Sequence, residues 1–239
     1  MSRAVALLRC FTTEDTELPL GELAERSELP RTTAYRIAEE LVAVGAMTKA
    51  PTGRYAVSLL LWKIASSSPA HKQLREKALP FLSDLYEATH ETTQLSVLDG
   101  MSARILDKVT GPAAARNVTV TGGELPLHAT GVGKVLLAFS PPDVLAELLS
   151  LGLKRHTART IIQPGTLTAN IAKVRHTLVG WSFEEMTPGV SSVAAPIRSP
   201  AGTLFGAIGV VAKSSRSLER SASAVRMAGL SIGRRLALH

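Results

Sequence analysis

The sequence predicts an α+β chain: an N-terminal winged helix-turn-helix, then a linker helix and a larger domain of mixed strands and helices. Three observations lead there. Two helical periodicities flank a tight break between residues 20 and 46. A short basic hairpin pattern follows at once. From about residue 70 onward, strand and helix patterns alternate through hairpins rather than strict βαβ units, as in a sheet with helices packed on it.

Arg3 to Phe11 carries Ala4, Leu7, Leu8 and Phe11 on one helical face, a third helix for the bundle. Thr12 to Glu17 is polar and acidic, a loop. Leu20 to Ala46 reads LGELAERSELPRTTAYRIAEELVAVGA. Its first helix places Leu20, Leu23 and Ala24 on one face. Ser27-Glu28-Leu29 interrupts, and Pro30 suits the first turn of a new helix, where no backbone N–H is needed. The second helix buries Ala34, Ile37, Ala38, Leu41 and Val42. Gly45 ends it at a position that calls for a left-handed backbone. The other face of this helix carries Arg31, Thr32, Thr33, Tyr35 and Arg36. Such a face fits the DNA major groove, where arginine pairs with guanine and threonine meets a base, a phosphate or a thymine methyl. A plain helical hairpin with a solvated face has the same periodicity. What distinguishes them is Met47 to Val57, MTKAPTGRYAV: two alternating segments around Pro51-Thr52-Gly53. This is a two-stranded wing, with Lys49 and Arg54 near its tip to meet phosphates.

Leu59 to Ser66 is apolar and helical, with Trp62 its bulkiest member, and Ser66-Ser67-Ser68-Pro69 breaks the pattern at a domain boundary. Lys72 to Thr89 is a helix with Leu74, Ala78, Leu82 and Leu85 in register. Thr92 to Leu98 alternates as a strand, Asp99-Gly100 is a hairpin turn, and Ala103 to Val109 is the partner strand. Asn117 to Thr121 is expected as a third strand. Thr130 to Phe139 is helical, opening on Gly131-Val132-Gly133. Ser140-Pro141-Pro142-Asp143 reads as a capping box with proline at the first helical position. Leu167 to Val179 is a helix with Leu167, Ile171, Val174 and Leu178 aligned, ended by Gly180. Trp181 to Glu184, Val190 to Ile197 and Leu204 to Val211 are strands. Arg216 to Leu236 is a final amphipathic helix.

Composition narrows the class. The 239 residues hold one large or two small domains, with 45% apolar and 4% aromatic residues, so aliphatic side chains fill the core. The single Cys10 permits no intrachain disulfide, which suits a reducing cytoplasm. No signal peptide is evident, and no apolar run is long enough to span a membrane. The net charge of +7 invites a nucleic-acid reading. Yet residues 1–62 hold seven Lys/Arg against eight Asp/Glu, a net −1. DNA binding therefore rests on where Arg31, Arg36, Lys49 and Arg54 stand, not on bulk charge. Gly131-Val132-Gly133-Lys134 is no P-loop, since His128 and Val135 occupy the positions that need glycine and Ser/Thr. Val190-Ser191-Ser192-Val193 lacks the glycine of a nucleophile elbow. The histidines lack metal-ligand spacing. No catalytic residue, metal or cofactor is expected.

Two stretches carry a family resemblance: PLHATGVGKVLLAFSPPD, Pro126 to Asp143, and GWSFEEMTPGVSSVAAPI, Gly180 to Ile197. Downstream of a winged helix, they resemble the IclR family of bacterial transcriptional regulators over nearly the whole chain. The resemblance implies a GAF-like α/β domain that binds a small effector and controls operator affinity. It divides the chain into a DNA-binding domain (1–58), a linker helix (59–69) and an effector-binding domain (70–239). It implies a cytoplasmic homodimer or tetramer on double-stranded operator DNA, acting as repressor or activator, with the linker helix packed against a second subunit. The amides of Gly131 and Val132 would hold the effector's carboxylate, at the positive end of a helix. Capping by Thr130 is the plainer account of that helix start. Ser192 and Glu184, or its neighbour Glu185, would join the same pocket. Gly209 and Val211 replace family positions that are often serine, so a larger or more apolar effector, such as an aromatic acid, is expected. Ordinary sheet core is the alternative for both. The rival function is a metabolite-binding protein or enzyme using the second domain, with the winged helix as a protein-interaction module.

Overall fold

The computed structural model describes residues 2–12, 15–66, 69–112 and 120–238. The chain forms two compact units, residues 1–72 and 73–239.

In the first unit, α1 (Ser2–Leu8), α2 (Leu20–Arg26) and α3 (Arg31–Ala43) surround a core that includes Leu7, Leu23, Ala34 and Ala38. Two helix ends explain the tight turns. Gly45, at φ +74°, closes α3: its amide and that of Ala46 bond back to the Val42 and Leu41 carbonyls. Glu28, at φ +53°, does the same for α2, with Glu28 and Leu29 amides on the Glu25 and Ala24 carbonyls. A glutamate there gives no composition signal, so the sequence located the break but not its mechanism. Leu41 and Val42 are half-buried rather than core.

The wing differs from the expected two strands. β2 (Met47–Lys49) and β3 (Arg54–Val57) pair antiparallel, and β1 (Glu17–Pro19) adds to the other side of β3. Leu18 lies opposite Tyr55 and both are buried. Three residues are too few to show a periodicity, so this strand, between the expected loop ending at Glu17 and the helix from Leu20, is unexpected. α4 (Leu59–Ser66) follows, with Leu59 and Ile64 exposed. The side chain of Trp62, and residues 67–68 at the expected boundary, lie outside what is described.

α5 (Pro69–Thr89) leads into the second unit. There, β4 (Thr92–Asp99), β5 (Ser102–Val109), β6 (Glu124–Pro126), β7 (Gly180–Phe183), β8 (Val190–Arg198) and β9 (Leu204–Lys213) form one antiparallel sheet. Its order is β6-β5-β4-β9-β8-β7. One face packs Leu95, Val193, Ile208 and Val210 against α5 and α9 (Glu219–Ala237). The other packs Ala194 and Ala207 against α6 (Gly131–Phe139), with α7 (Pro142–Leu151) and α8 (Pro164–Thr177) outside it. Because both faces are covered, the polar residues Thr92, Gln94 and Ser96 of β4 are as buried as Leu95.

The strand that adds to the β4–β5 hairpin is β6; of the strand expected at Asn117 to Thr121, residues 117–119 lie outside the described residues, and Val120 and Thr121 are not strand. Two local expectations are corrected. Ser140 does not cap α7: its hydroxyl donates to the Leu137 carbonyl behind it, and Pro141 is the capping residue. α8 ends at Leu178, which takes the left-handed conformation at φ +59°, so Leu178 does not continue the helical row. Gly180 is instead the first residue of β7.

Candidate functional site

On α3, Arg31, Thr32, Tyr35 and Arg36 are exposed and Thr33 is half-exposed. The Arg36 guanidinium pairs with Glu40 one turn on, at 2.7 Å, with both side chains mostly in water. Such a pair contributes little and yields readily to another anion. The wing cations are more firmly held. Lys49 Nζ lies 2.7 Å from Glu39 Oε1, to which the Tyr55 hydroxyl also donates at 2.6 Å. These bonds push the Lys49 ammonium up from its ordinary pKa and the Glu39 carboxyl down. The ammonium also lies 5.5 Å from the Tyr35 ring centre. Arg54 donates to the Glu17 carbonyl at 2.6 Å. Glu39, unnoticed in the sequence, is thus the residue that ties the wing to α3.

In the second unit, register sorts the α6-facing side of the sheet into two rows. Gly180, Ala194, Gly209 and Gln94 pair across β7, β8, β9 and β4. Ser182, Ser192, Val211 and Thr92 form the next row. The start of α6 lies on the β7–β9 part of the first row because Gly180, Ala194 and Gly209 are small. A Cβ on Gly180 would meet the Gly131 carbonyl oxygen at 2.7 Å, and one on Gly209 would meet Val132 Cγ1 at 3.1 Å. Gly209 is therefore the seat of α6, not a pocket wall. Ser182, Ser192 and Val211 of the second row floor a cavity of about 630 Å³, mouth included, whose walls include Gln94, Leu125, Thr130, Met186 and Val190.

The hydroxyls of this cavity are not equivalent. Thr130 donates to the Pro126 carbonyl at 2.9 Å and accepts from the Gly133 amide at 3.1 Å, so it does cap α6. Ser182 donates to the Ala129 carbonyl at 2.8 Å. Ser192 Oγ accepts from the Gly131 amide at 3.2 Å, and no bond among the described residues uses its own proton. That proton is left for the cavity. The Gly131 amide is consequently not free for a ligand, and neither Gly131 nor Val132 is among the wall residues. The helix start reaches the cavity through Ser192.

Glu184 and Glu185 both stand apart from the cavity wall. Glu184, at φ +58°, pairs with Arg159 at 2.9 Å and accepts from the Gly189 amide at 3.0 Å. Glu185 turns inward and lies 2.5 Å from Nζ of the fully buried Lys134, which also donates to the Trp181 carbonyl. Burial pushes the Lys134 ammonium pKa down, and Glu185 opposes that shift. Thr157 and Thr160 hydroxyls bond the Glu184 and Glu185 carbonyls. The pair thus fastens to α6 the loop that brings Met186 and Thr187 to the cavity. Sequence reasoning missed Gln94, Thr130 and Ser182 as wall residues. The register of the sheet, absent from any single stretch, is what gathers them.

Residues 68–238 match the family model described as bacterial transcriptional regulator IclR C-terminal, and residues 1–51 match the IclR helix-turn-helix domain. The chain is 31% identical over 221 residues to the HTH-type transcriptional regulator BhcR of Paracoccus denitrificans, covering 92% of this chain and 79% of that protein. It is 29% identical over 220 residues to the transcriptional repressor IclR of Escherichia coli, covering 90% and 80%. Among solved structures it is similar to an IclR homolog from Microbacterium hydrocarbonoxydans complexed with 4-hydroxybenzoate. That match has a TM-score of 0.93 at 28% identity and covers 100% of this chain and 99% of the other.

Proposed function

The chain belongs to the IclR family of bacterial transcriptional regulators, and from that premise we propose how its two units divide the work. It is a DNA-binding regulator whose operator affinity responds to a small molecule, in a family of regulators rather than enzymes. Residues 1–58 bind the operator, 59–69 link, and 70–239 bind the effector. Arg31, Thr32, Thr33, Tyr35 and Arg36 read bases and phosphates in the major groove. Lys49 and Arg54 follow the backbone once phosphate competes for them. Operator half-sites are paired, so two or four copies act together in the cytoplasm, and the exposed Leu59 and Ile64 of the linker helix meet a second subunit.

The effector is an organic acid, and an aromatic acid suits the apolar share of the cavity, including Leu125, Met186 and Val211. The 4-hydroxybenzoate bound by the similar Microbacterium protein supports the same class. The observation that carries this reading is the unspent proton of Ser192. Its oxygen accepts from the first amide of α6, so the positive end of the helix polarises the hydroxyl toward a carboxylate in the cavity. The effector acts by binding one conformation of the regulator better than the other.

The test is a gel-shift against the DNA upstream of the chain's own gene, repeated with aromatic acids. Retention that changes with one acid, together with loss of that response in Ser192→Ala, is the expected result. An acid response unaltered by Ser192→Ala would overturn the placement of the carboxylate. Failure to retain any upstream DNA would overturn the operator assignment.

A further inference from the structure

We propose that Gln94 is the specificity residue of the effector cavity, and that the ligand it selects carries a hydroxyl at the end away from its carboxylate. The inference rests on the effector reading above and adds the second end of the ligand. Gln94 is a wall residue of the cavity and only 2% exposed, yet its Oε1 has no hydrogen-bond partner. A buried amide left unpaired is costly, so a fold that keeps one beside a cavity has a use for it. No bond to its Nε2 exists among the described residues either. Neither polar neighbour on its own strand and face satisfies the amide: Thr92 bonds the Thr110 hydroxyl and Ser96 leaves its own unpaired.

Position decides which end of the ligand Gln94 meets. Gln94 sits on β4 and Ser192 on β8, with β9 between them. Two strand spacings across the sheet and an offset of two residues along it, about 12 Å in all, separate their backbones. Val211 pairs with Ser192, lies diagonal to Gln94 on the same face, and is apolar. The floor therefore runs from a donor, over an apolar patch, to an amide. A short ligand with one ring and polar groups at opposite ends matches that sequence. A carboxylate at the Ser192 end leaves the far substituent at Gln94. An amide presents an acceptor and a donor side by side, and a hydroxyl is the small neutral group that answers both. A site built to bond a hydroxyl rejects the analogue lacking it far more strongly than an apolar pocket rejects a missing methylene.

The experiment is calorimetric titration of the full chain with benzoate and with 4-hydroxybenzoate, for the wild type and for Gln94→Met, which keeps the side-chain length. The wild type is expected to bind 4-hydroxybenzoate about tenfold or more tightly than benzoate. Gln94→Met should abolish that preference by losing affinity for 4-hydroxybenzoate alone. Equal losses for both acids, or an undiminished preference in the variant, would overturn the role of Gln94 while leaving the carboxylate at Ser192. A wild type that binds benzoate as well as 4-hydroxybenzoate would overturn it without any variant. A wild type that binds neither acid would overturn the effector reading as well.

Discussion

Arg36 shows how little a surface ion pair says about function. Its guanidinium rests on Glu40, but both groups are solvated, and a pair of this kind contributes about 0–1 kcal/mol. A guanine edge offers two acceptors for a bidentate bond, and a phosphate offers an opposite charge, in its place. Arg36→Ala is expected to lower operator affinity by about 1–3 kcal/mol and relax sequence preference at one base pair. Thermal stability and acid binding should stay as in the wild type. Binding measured against a panel of single-base operator variants checks this, and an unchanged preference profile would remove Arg36 from the contact set.

The seat of α6 belongs to the scale of elements. The helix sits on Gly180 and Gly209 because any larger residue would hold it off the sheet. In Gly180→Ala the new methyl meets the Gly131 carbonyl oxygen and Val135 Cγ2, both at 2.7 Å. Overpacking of this kind costs about 1–3 kcal/mol, and the shift also separates the Gly131 amide from Ser192. Melting temperature and acid affinity should fall together; a loss of one without the other would uncouple the seat from the site. A second element-scale effect comes from His156, on the loop that braces the β7–β8 corner. Burial pushes its imidazole pKa below the ordinary 6.5, and His128 and Lys154 push the same way. The two rings lie 5.7 Å apart, with His128 bonded to the Lys154 carbonyl. Below pH 6.5 the unfolded chain binds a proton that folded His156 refuses, so stability falls as pH drops from 6.5 toward the lowered value. Above that window both states are neutral and His156 contributes no slope. Melting temperature recorded across this range should decline in the wild type and decline less in His156→Asn.

For the whole molecule, charge and valence set affinity. Residues 1–68 hold equal numbers of Lys/Arg and Asp/Glu. Arg36, Lys49 and Arg54 each have a partner within the protein. One copy therefore releases few counterions on DNA. Linking copies turns the second contact into an intramolecular one and multiplies affinity. A fragment of residues 1–68 is expected to bind operator more weakly than the full chain at the same salt. Equal affinities would mean that a single copy suffices.

Periodicity and turn chemistry, which are local, were enough for the sequence to determine the helix-turn-helix, the wing, the α+β class and most element positions. The apolar rows Leu74–Leu85 and Leu167–Val174 and the Gly45 stop each lie within a few turns of chain, so their physics is written in adjacent residues. The resemblance in Pro126–Asp143 and Gly180–Ile197 named the family. What the sequence could not decide depends on partners far apart in the chain. β1 exists because Leu18 meets Tyr55 37 residues later. Glu185 turns inward because Lys134 needs a counter-charge in a buried helix, and Glu184 then faces Arg159. Gly209 and Val211, two residues apart on one face, part company because α6 covers one and leaves the other open. Gln94 enters the site only when β4 is paired to β9. Burial, desolvation and register are properties of the packed sheet, and only the tertiary structure brings Gln94, Ser192 and Val211 to one cavity.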